Sequence, residues 1–191
     1  MYYRLRSAIV YRPVFKSFGK SSTIYPPSLI GSPRFIHIGE RVLIRRGVRL
    51  EAVSVDPENP PEIIIGDDVR LEEDVYIVAA GKIHIYNNVC IGPRSALICA
   101  THPFFDVHDS VKIGDRVSGQ NALIEIGDGS ILGLGSIIHM NVTLGKNVVV
   151  GSSSVVKSSF PDNSVIDGHP ATLVLSYNEE ENRWQRVRNK A

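Results

Sequence analysis

The chain is poor in cysteine. Cys90 and Cys99 are the only two among 191 residues, too few for a disulfide framework, and no Cys/His spacing suggests a structural metal. Both fall inside aliphatic runs, so buried free thiols are expected and a cytoplasmic location fits. Net charge is also scarce. Against 21 Lys and Arg stand 20 Asp and Glu, which argues against a polyanionic partner such as nucleic acid. No apolar run reaches membrane-spanning length, and no secretory signal pattern opens the chain. Acidic residues are missing altogether from Met1 to Gly39, where Arg4, Arg6, Arg12, Lys16, Lys20 and Arg34 occur. That bias fits a solvated basic face on a short N-terminal helix. It also fits weak contact with an anionic membrane surface or a lipid-linked substrate, at the inner face of the membrane.

The two common periods of secondary structure are absent too. A helix repeats its apolar residues every 3.6 positions and a half-buried strand every 2. Here an aliphatic residue falls at Ile126, Leu132, Ile138, Leu144, Val150 and Val156, a step of six every time. The residue after it is often Gly. The fifth slot is small or Val, as in Ser130, Ser136, Val142, Val148 and Ser154. The pattern recurs upstream: Ile38-Gly39 leads to Ile44 and Leu50, Ile65-Gly66 to Leu71 and Ile77, and Ile85 to Ile91-Gly92 and Leu97.

A six-residue unit reads as a short strand plus a corner. The corner favours Gly, which escapes Cβ strain. The large aliphatic and the small residue point inward and stack on their counterparts in the next turn of chain. Three units close one triangular coil, and stacked coils pair their strands as parallel ladders roughly 4.8 Å apart. Such a solenoid buries one continuous apolar column. About seven coils fit between residues 24 and 170. Asp56 to Glu62, with three prolines, interrupts the count as a loop. Ala80-Gly81-Lys82 is a smaller irregularity, and residues 103–123 read as a loop thrown out from a corner. The resulting organisation is a basic, helical segment at 1–23, the solenoid at 24–173 and a C-terminal cap or short polar helix at 174–191.

These tandem [LIV]-G-x4 units resemble the hexapeptide-repeat acyltransferases. The resemblance implies an all-β fold, a left-handed parallel β-helix, whose handedness opposes the usual rule for parallel crossovers. Two stretches tighten the likeness. Ala100-Thr101-His102-Pro103 is similar to a motif of the maltose and galactoside O-acetyltransferases, and Asn163 to Ala171 is similar to their closing signature. IGERVLIRRGVRLEA, further upstream, resembles bacterial polysaccharide O-acetyltransferases. The likeness spans most of residues 30–173. It implies transfer of an acetyl group from acetyl-CoA, in a homotrimer whose sites lie between subunits, with no metal.

His102 is the candidate catalytic residue. A sugar hydroxyl is a poor nucleophile at neutral pH, and a neutral imidazole can remove its proton as it attacks a thioester. Backbone N–H groups of a neighbouring coil are the natural donors for the oxyanion. His108, Asp106 and Asp109 share the loop; His108 could be a second base or help seat the acceptor, and either Asp could orient an imidazole. His37, His84, His139 and His169 read as outward or turn residues. The resemblance places Leu134, Gly135, Ser152, Ser153 and Lys157 along the coenzyme A groove. Where the relatives read VTKD, this chain reads Val156-Lys157-Ser158-Ser159, and Thr172 replaces a basic residue. Lys157, Arg183 or Arg186 would then meet the coenzyme's phosphates. Asp74, Tyr76 and Asn87 are the candidate acceptor contacts.

The expected reaction is O-acetylation of a sugar, with a surface-polysaccharide precursor as one candidate. N-acetylation of an amino sugar, free or nucleotide-linked, is the alternative on the same fold. A γ-carbonic-anhydrase-like zinc protein needs three shared histidines, usually with an H-x4-H pair. His102 and His108 are separated by five residues, so that signature fails. A non-catalytic scaffold would leave the His102 motif and its loop without a purpose.

Overall fold

Six turns of chain stack into a three-sided prism. In the computed structural model, which describes residues 2–187, the short strands fall on three faces. Face A stacks Ser17–Phe18, Ile36–Ile38, Glu62–Ile65, Lys82–Ile85, Leu123–Ile126 and Val142–Leu144. Face B stacks Thr23–Ile24, Leu43–Ile44, Arg70–Leu71, Cys90–Ile91, Ile131–Leu132 and Val149–Val150. Face C stacks Leu29–Gly31, Arg49–Ala52, Tyr76–Ala79, Ala96–Cys99, Ile137–His139 and Val155–Val156. Every coil-to-coil pairing is parallel, and like sits on like: Leu71, Ile91, Leu132 and Val150 stand in one register column. These side chains are sealed from solvent, and burying each stabilises the prism by about 1.5–3 kcal/mol relative to exposure. The fifth-slot residues are sealed as well, Val42, Val69 and Val89 on one corner and Ser95, Ser136 and Ser154 on another. The buried hydroxyls are satisfied; Ser95 Oγ donates to the Gly133 carbonyl at 2.9 Å.

The glycines that open corners serve stacking, not left-handed backbone. A Cβ on Gly127 would stand 2.4 Å from the Gly145 carbonyl oxygen of the coil above. The left-handed position comes two residues later and is mostly not glycine: Arg41, Asp68, Asn88 and Asn147 hold it on the A–B edge. Coil spacing, rather than φ, therefore favours Gly at the start of a corner; Arg45, Glu72 and Tyr86 are exceptions.

Two edges are uniform. A–B corners take four residues each (39–42, 66–69, 86–89, 127–130, 145–148), and so do B–C corners (45–48, 72–75, 92–95, 133–136, 151–154). The C–A edge is irregular: two residues at 80–81 and 140–141, four at 32–35, nine at 53–61, and 23 at 100–122. All the length variation sits on one edge.

The ends are closed differently. Helix α1 (Tyr2–Val10) lies against Thr23–Ile24, and Tyr11, Phe15 and Phe18 plug the bottom of the column. At the other end no helix forms over the described residues. Ser164–Gly168 continues face B in parallel, and Ala171–Asn178 and Arg183–Arg186 add to it as an antiparallel hairpin. Tyr177 and Trp184 pair across that hairpin with ring centroids 5.5 Å apart. The polar stretch NEEEN is its turn, so the C-terminal helix is replaced by strands; residues 188–191 lie outside the description. Of the two cysteines, Cys99 is buried, and burial pushes its thiol up to about 11. Cys90 faces outward from face B and is only half-buried.

Candidate active site

His102 leaves the prism at the C–A edge, just beyond the face C strand Ala96–Cys99. The long loop begins and ends in a narrow neck. Thr101 and Ser118 exchange two backbone hydrogen bonds, both 2.9 Å. Gly81 lets the returning chain pass close by, since a Cβ there would stand 2.3 Å from the Gly119 and Ala122 carbonyl oxygens. Asn59, from the 53–61 loop on the same edge, braces the base by donating Nδ2 to the Gln120 carbonyl at 2.9 Å.

The loop itself wraps around one guanidinium. Arg116 donates to the carbonyls of Val111 (2.7 Å), Asp109 (2.8 Å) and Asp106 (3.1 Å), and pairs with the Asp109 carboxylate at 3.3 Å. Its backbone carbonyl accepts a 3.0 Å hydrogen bond from Nδ1 of His102. A carbonyl can only accept, so Nδ1 carries the proton, and in the neutral ring Nε2 is left with its lone pair. That is the tautomer a general base needs. The orienting group is a carbonyl rather than the Asp106 or Asp109 carboxylate. The ring is exposed on the single chain. His108 sits further out on the loop, its backbone N–H donating to Asp106 Oδ1 at 2.9 Å.

The other candidates lie on different edges. Leu134, Gly135, Ser152 and Ser153 occupy B–C corners, and Asp74 occupies the same column two and three coils below Gly135 and Ser153. Tyr76 opens its face C strand from that edge. Burial, and then the Glu51 carboxylate, raise its phenol above the usual value, while the Arg49 guanidinium lies 5.3 Å over the ring and opposes them. Face C, about 15 Å across at 3.3 Å per residue, separates all of these from His102. Lys157 alone among the predicted coenzyme contacts shares the C–A edge. It stands close enough to His139 for its charge, after burial and together with His169, to lower that imidazole's pKa. His139 is thus half-buried on face C, in register with Ile98, one coil beyond His102's own.

Asn87 has a structural occupation on the A–B edge. Its Oδ1 accepts from Asp67 N–H at 2.9 Å, and its own N–H donates to Asp128 Oδ1 at 2.8 Å. The same carboxylate-on-amide step recurs from Glu40 to Asp67 and from Lys146 to Asp162, so Asn87 is one rung of a corner ladder away from His102. Arg183 lies in the C-terminal hairpin, paired with Glu181. Arg116 carries no motif in the sequence. The available signal was a lone arginine in a loop with two aspartates, but its main acceptors are carbonyls, which residue identity does not reveal. Among the described residues no group of three His, Cys, Asp or Glu could hold a metal ion.

No protein-family model matches the chain. Solved structures do. AntD, an N-acyltransferase from Bacillus cereus crystallised as a serine-to-alanine mutant with dTDP-4-amino-4,6-dideoxyglucose and coenzyme A, is 22% identical over 92% of this chain and 91% of its own, with a TM-score of 0.76. A maltose O-acetyltransferase from Clostridium difficile 630 is 24% identical over 92% of this chain and 76% of its own, at a TM-score of 0.62. A mutant perosamine N-acetyltransferase from Caulobacter crescentus, in complex with CoA and GDP-perosamine, is 22% identical over 80% of this chain and 55% of its own, at 0.57. At such identities the likeness establishes a shared fold, the left-handed parallel β-helix.

Proposed function

We propose that the chain is an acetyl-CoA-dependent acetyltransferase acting on a hydroxyl of a sugar, with a surface-polysaccharide precursor as the favoured acceptor. The observation that carries this reading is the His102 tautomer. With Nδ1 committed to the Arg116 carbonyl, Nε2 is the basic nitrogen of an exposed ring. Acetyl-CoA supplies an activated thioester carbonyl. Nε2 of His102 takes the acceptor's proton as the acceptor oxygen bonds to that carbon, and the carbon–sulfur bond breaks. The imidazolium then returns the proton to the departing thiolate, so His102 ends as it began. Backbone N–H groups at the coil corners are suited to hold the negative charge that builds on the carbonyl oxygen.

Residues of this chain suit the coenzyme in two places. Lys157, exposed on His102's edge, is a ready phosphate partner, and the part-exposed Ile98 of face C, over the buried Val78, offers an apolar contact on the adjoining face. The B–C residues Leu134, Gly135, Ser152 and Ser153 are a face away from His102. A homotrimer meets this by setting one chain's B–C edge against its neighbour's C–A edge. Phe104, Phe105 and Val107 support that arrangement: they are 63, 86 and 82% exposed on the single chain, more than an isolated loop tolerates.

An amine acceptor is the second reading, favoured by the nucleotide-linked amino sugars bound in the AntD and perosamine N-acetyltransferase structures. The test is thiol release from acetyl-CoA with sugar and amino-sugar acceptors, the product then treated with hydroxylamine, which cleaves the ester and spares the amide. His102→Ala is expected to lose about 10²–10⁴-fold in kcat while melting like the parent, because its ring is exposed. Full turnover by that variant would remove His102 from the chemistry.

A further inference from the structure

A short surface helix normally turns its apolar side inward. Helix α1 seats tyrosine and serine inward and leaves its aliphatic residues outside. Its inner stripe is Tyr3 and Ser7, continued at helical spacing by Tyr11 just beyond its end. Ser7 is fully buried, donating Oγ to the Tyr3 carbonyl at 2.8 Å and accepting from Ile24 N–H at 2.9 Å. Its outer stripe is Tyr2, Leu5 and Ile9, which are 71, 61 and 67% exposed, and Val10 and Val14 extend the apolar surface. Arg4, Arg12, Lys16 and Lys20 stand exposed around it. A groove of about 350 Å³ runs beside the helix, walled by Leu5, Ala8 and Phe18 and rimmed by Arg4, Arg12 and Lys20.

Charge is segregated along the whole molecule. Residues 1–39 hold six Lys and Arg and no Asp or Glu, whereas residues 40–191 hold 15 against 20. One end of the prism is therefore basic and the remainder acidic. At nine residues α1 is far too short to cross a bilayer. An apolar stripe flanked by cations on such a helix is the pattern that lies in an interface, its side chains among the acyl chains and its cations against headgroup phosphates. We propose that α1 docks the protein end-on to a membrane surface rich in anionic phospholipid. The acidic remainder is repelled from that surface and the prism axis points away from it. The His102 corner then stands three coils up, about 15 Å from the helix. The docking does not depend on the acetyltransferase reading, and its test measures no catalysis.

The experiment is sedimentation of the full chain with vesicles of phosphatidylcholine alone and of phosphatidylcholine mixed with phosphatidylglycerol. Binding is expected to the mixed vesicles only, falling several-fold as salt is raised. Leu5→Ser/Ile9→Ser and Arg4→Gln/Arg12→Gln should each lower the bound fraction about tenfold, with melting temperatures unchanged because all four side chains are exposed. Equal binding to both vesicle types, or binding untouched by both double variants, overturns the proposal. So does a parent protein that ignores vesicles while Leu5→Ser/Ile9→Ser lowers its oligomeric state, which would assign the helix face to a second copy of the chain.

Discussion

The stacked coils and the His102 loop satisfy their backbones by opposite means. In the coils, each strand bonds to the coil below and above, and each inward side chain rests on its like. No single residue is indispensable to the pattern, and thirty-odd sealed side chains share the work. In the loop, three carbonyls converge on one guanidinium, and the fourth bond of the cluster orients the imidazole. Order there is concentrated in Arg116, whose side chain is 14% exposed while the loop around it is open to solvent. The difference predicts that stability and activity can be damaged separately: the column by cavities, the loop by loss of one charge.

The largest expected effect is on the column. Ile91→Ala, between Leu71 and Leu132, should cost about 2–5 kcal/mol in urea unfolding, with kcat intact below the melt because the neck and Arg116 are untouched. Arg116→Met should do the reverse. We expect kcat to fall about tenfold or more as the imidazole loses its orientation, with KM and the unfolding midpoint near the parent's. Arg116→Lys should recover part of kcat, since an ammonium can still donate but cannot fork across three carbonyls. An Arg116→Met protein that unfolds as readily as Ile91→Ala would mean that the loop shares the coils' cooperativity, and the contrast would fall.

The smallest effect sharpens the boundary between the two regions. His139 projects from a coil, and burial, then Lys157 and His169, lower its pKa below the usual 6.5. The unfolded chain takes up that proton first, so stability is lost as pH falls from about 6.5 towards the lower folded value. His139→Gln should flatten the urea midpoint between pH 7 and pH 5.5 by a few tenths of a kcal/mol, discounted for partial exposure. A wild-type midpoint independent of pH across that range would show the ring to be freely solvated.

Much of the prism was legible because its rule is local and repeated. A residue such as Leu97 or Ile138 declares its inward position by its place in the six-residue count, and both are sealed. What the corner glycines do was not legible, because the clash that excludes a Cβ lies with a carbonyl eighteen residues away, as between Gly127 and Gly145. The C-terminal sequence leaves a cap or a short polar helix open, and the strands go with the pairing of Tyr177 and Trp184 across the turn. At the candidate site, the motif singles out His102 but not its tautomer: the partner is a backbone oxygen fourteen positions on. Nor does a hexapeptide count tell which edge a corner occupies, so the separation of Leu134 and Ser152 from His102 by a whole face had to come from the structure.

The irregular C–A edge has a consequence for how such a scaffold changes its trade. Lengthening a loop between two fixed ends costs only about 0.6 kcal/mol per doubling, and here the ends are clamped by the Thr101–Ser118 neck. The prism would register almost nothing if the residues between His102 and Arg116 were exchanged for a segment of different length and chemistry that still holds those two in place. Specificity can therefore be rewritten as a cassette at one port, while the other two edges keep the building standing.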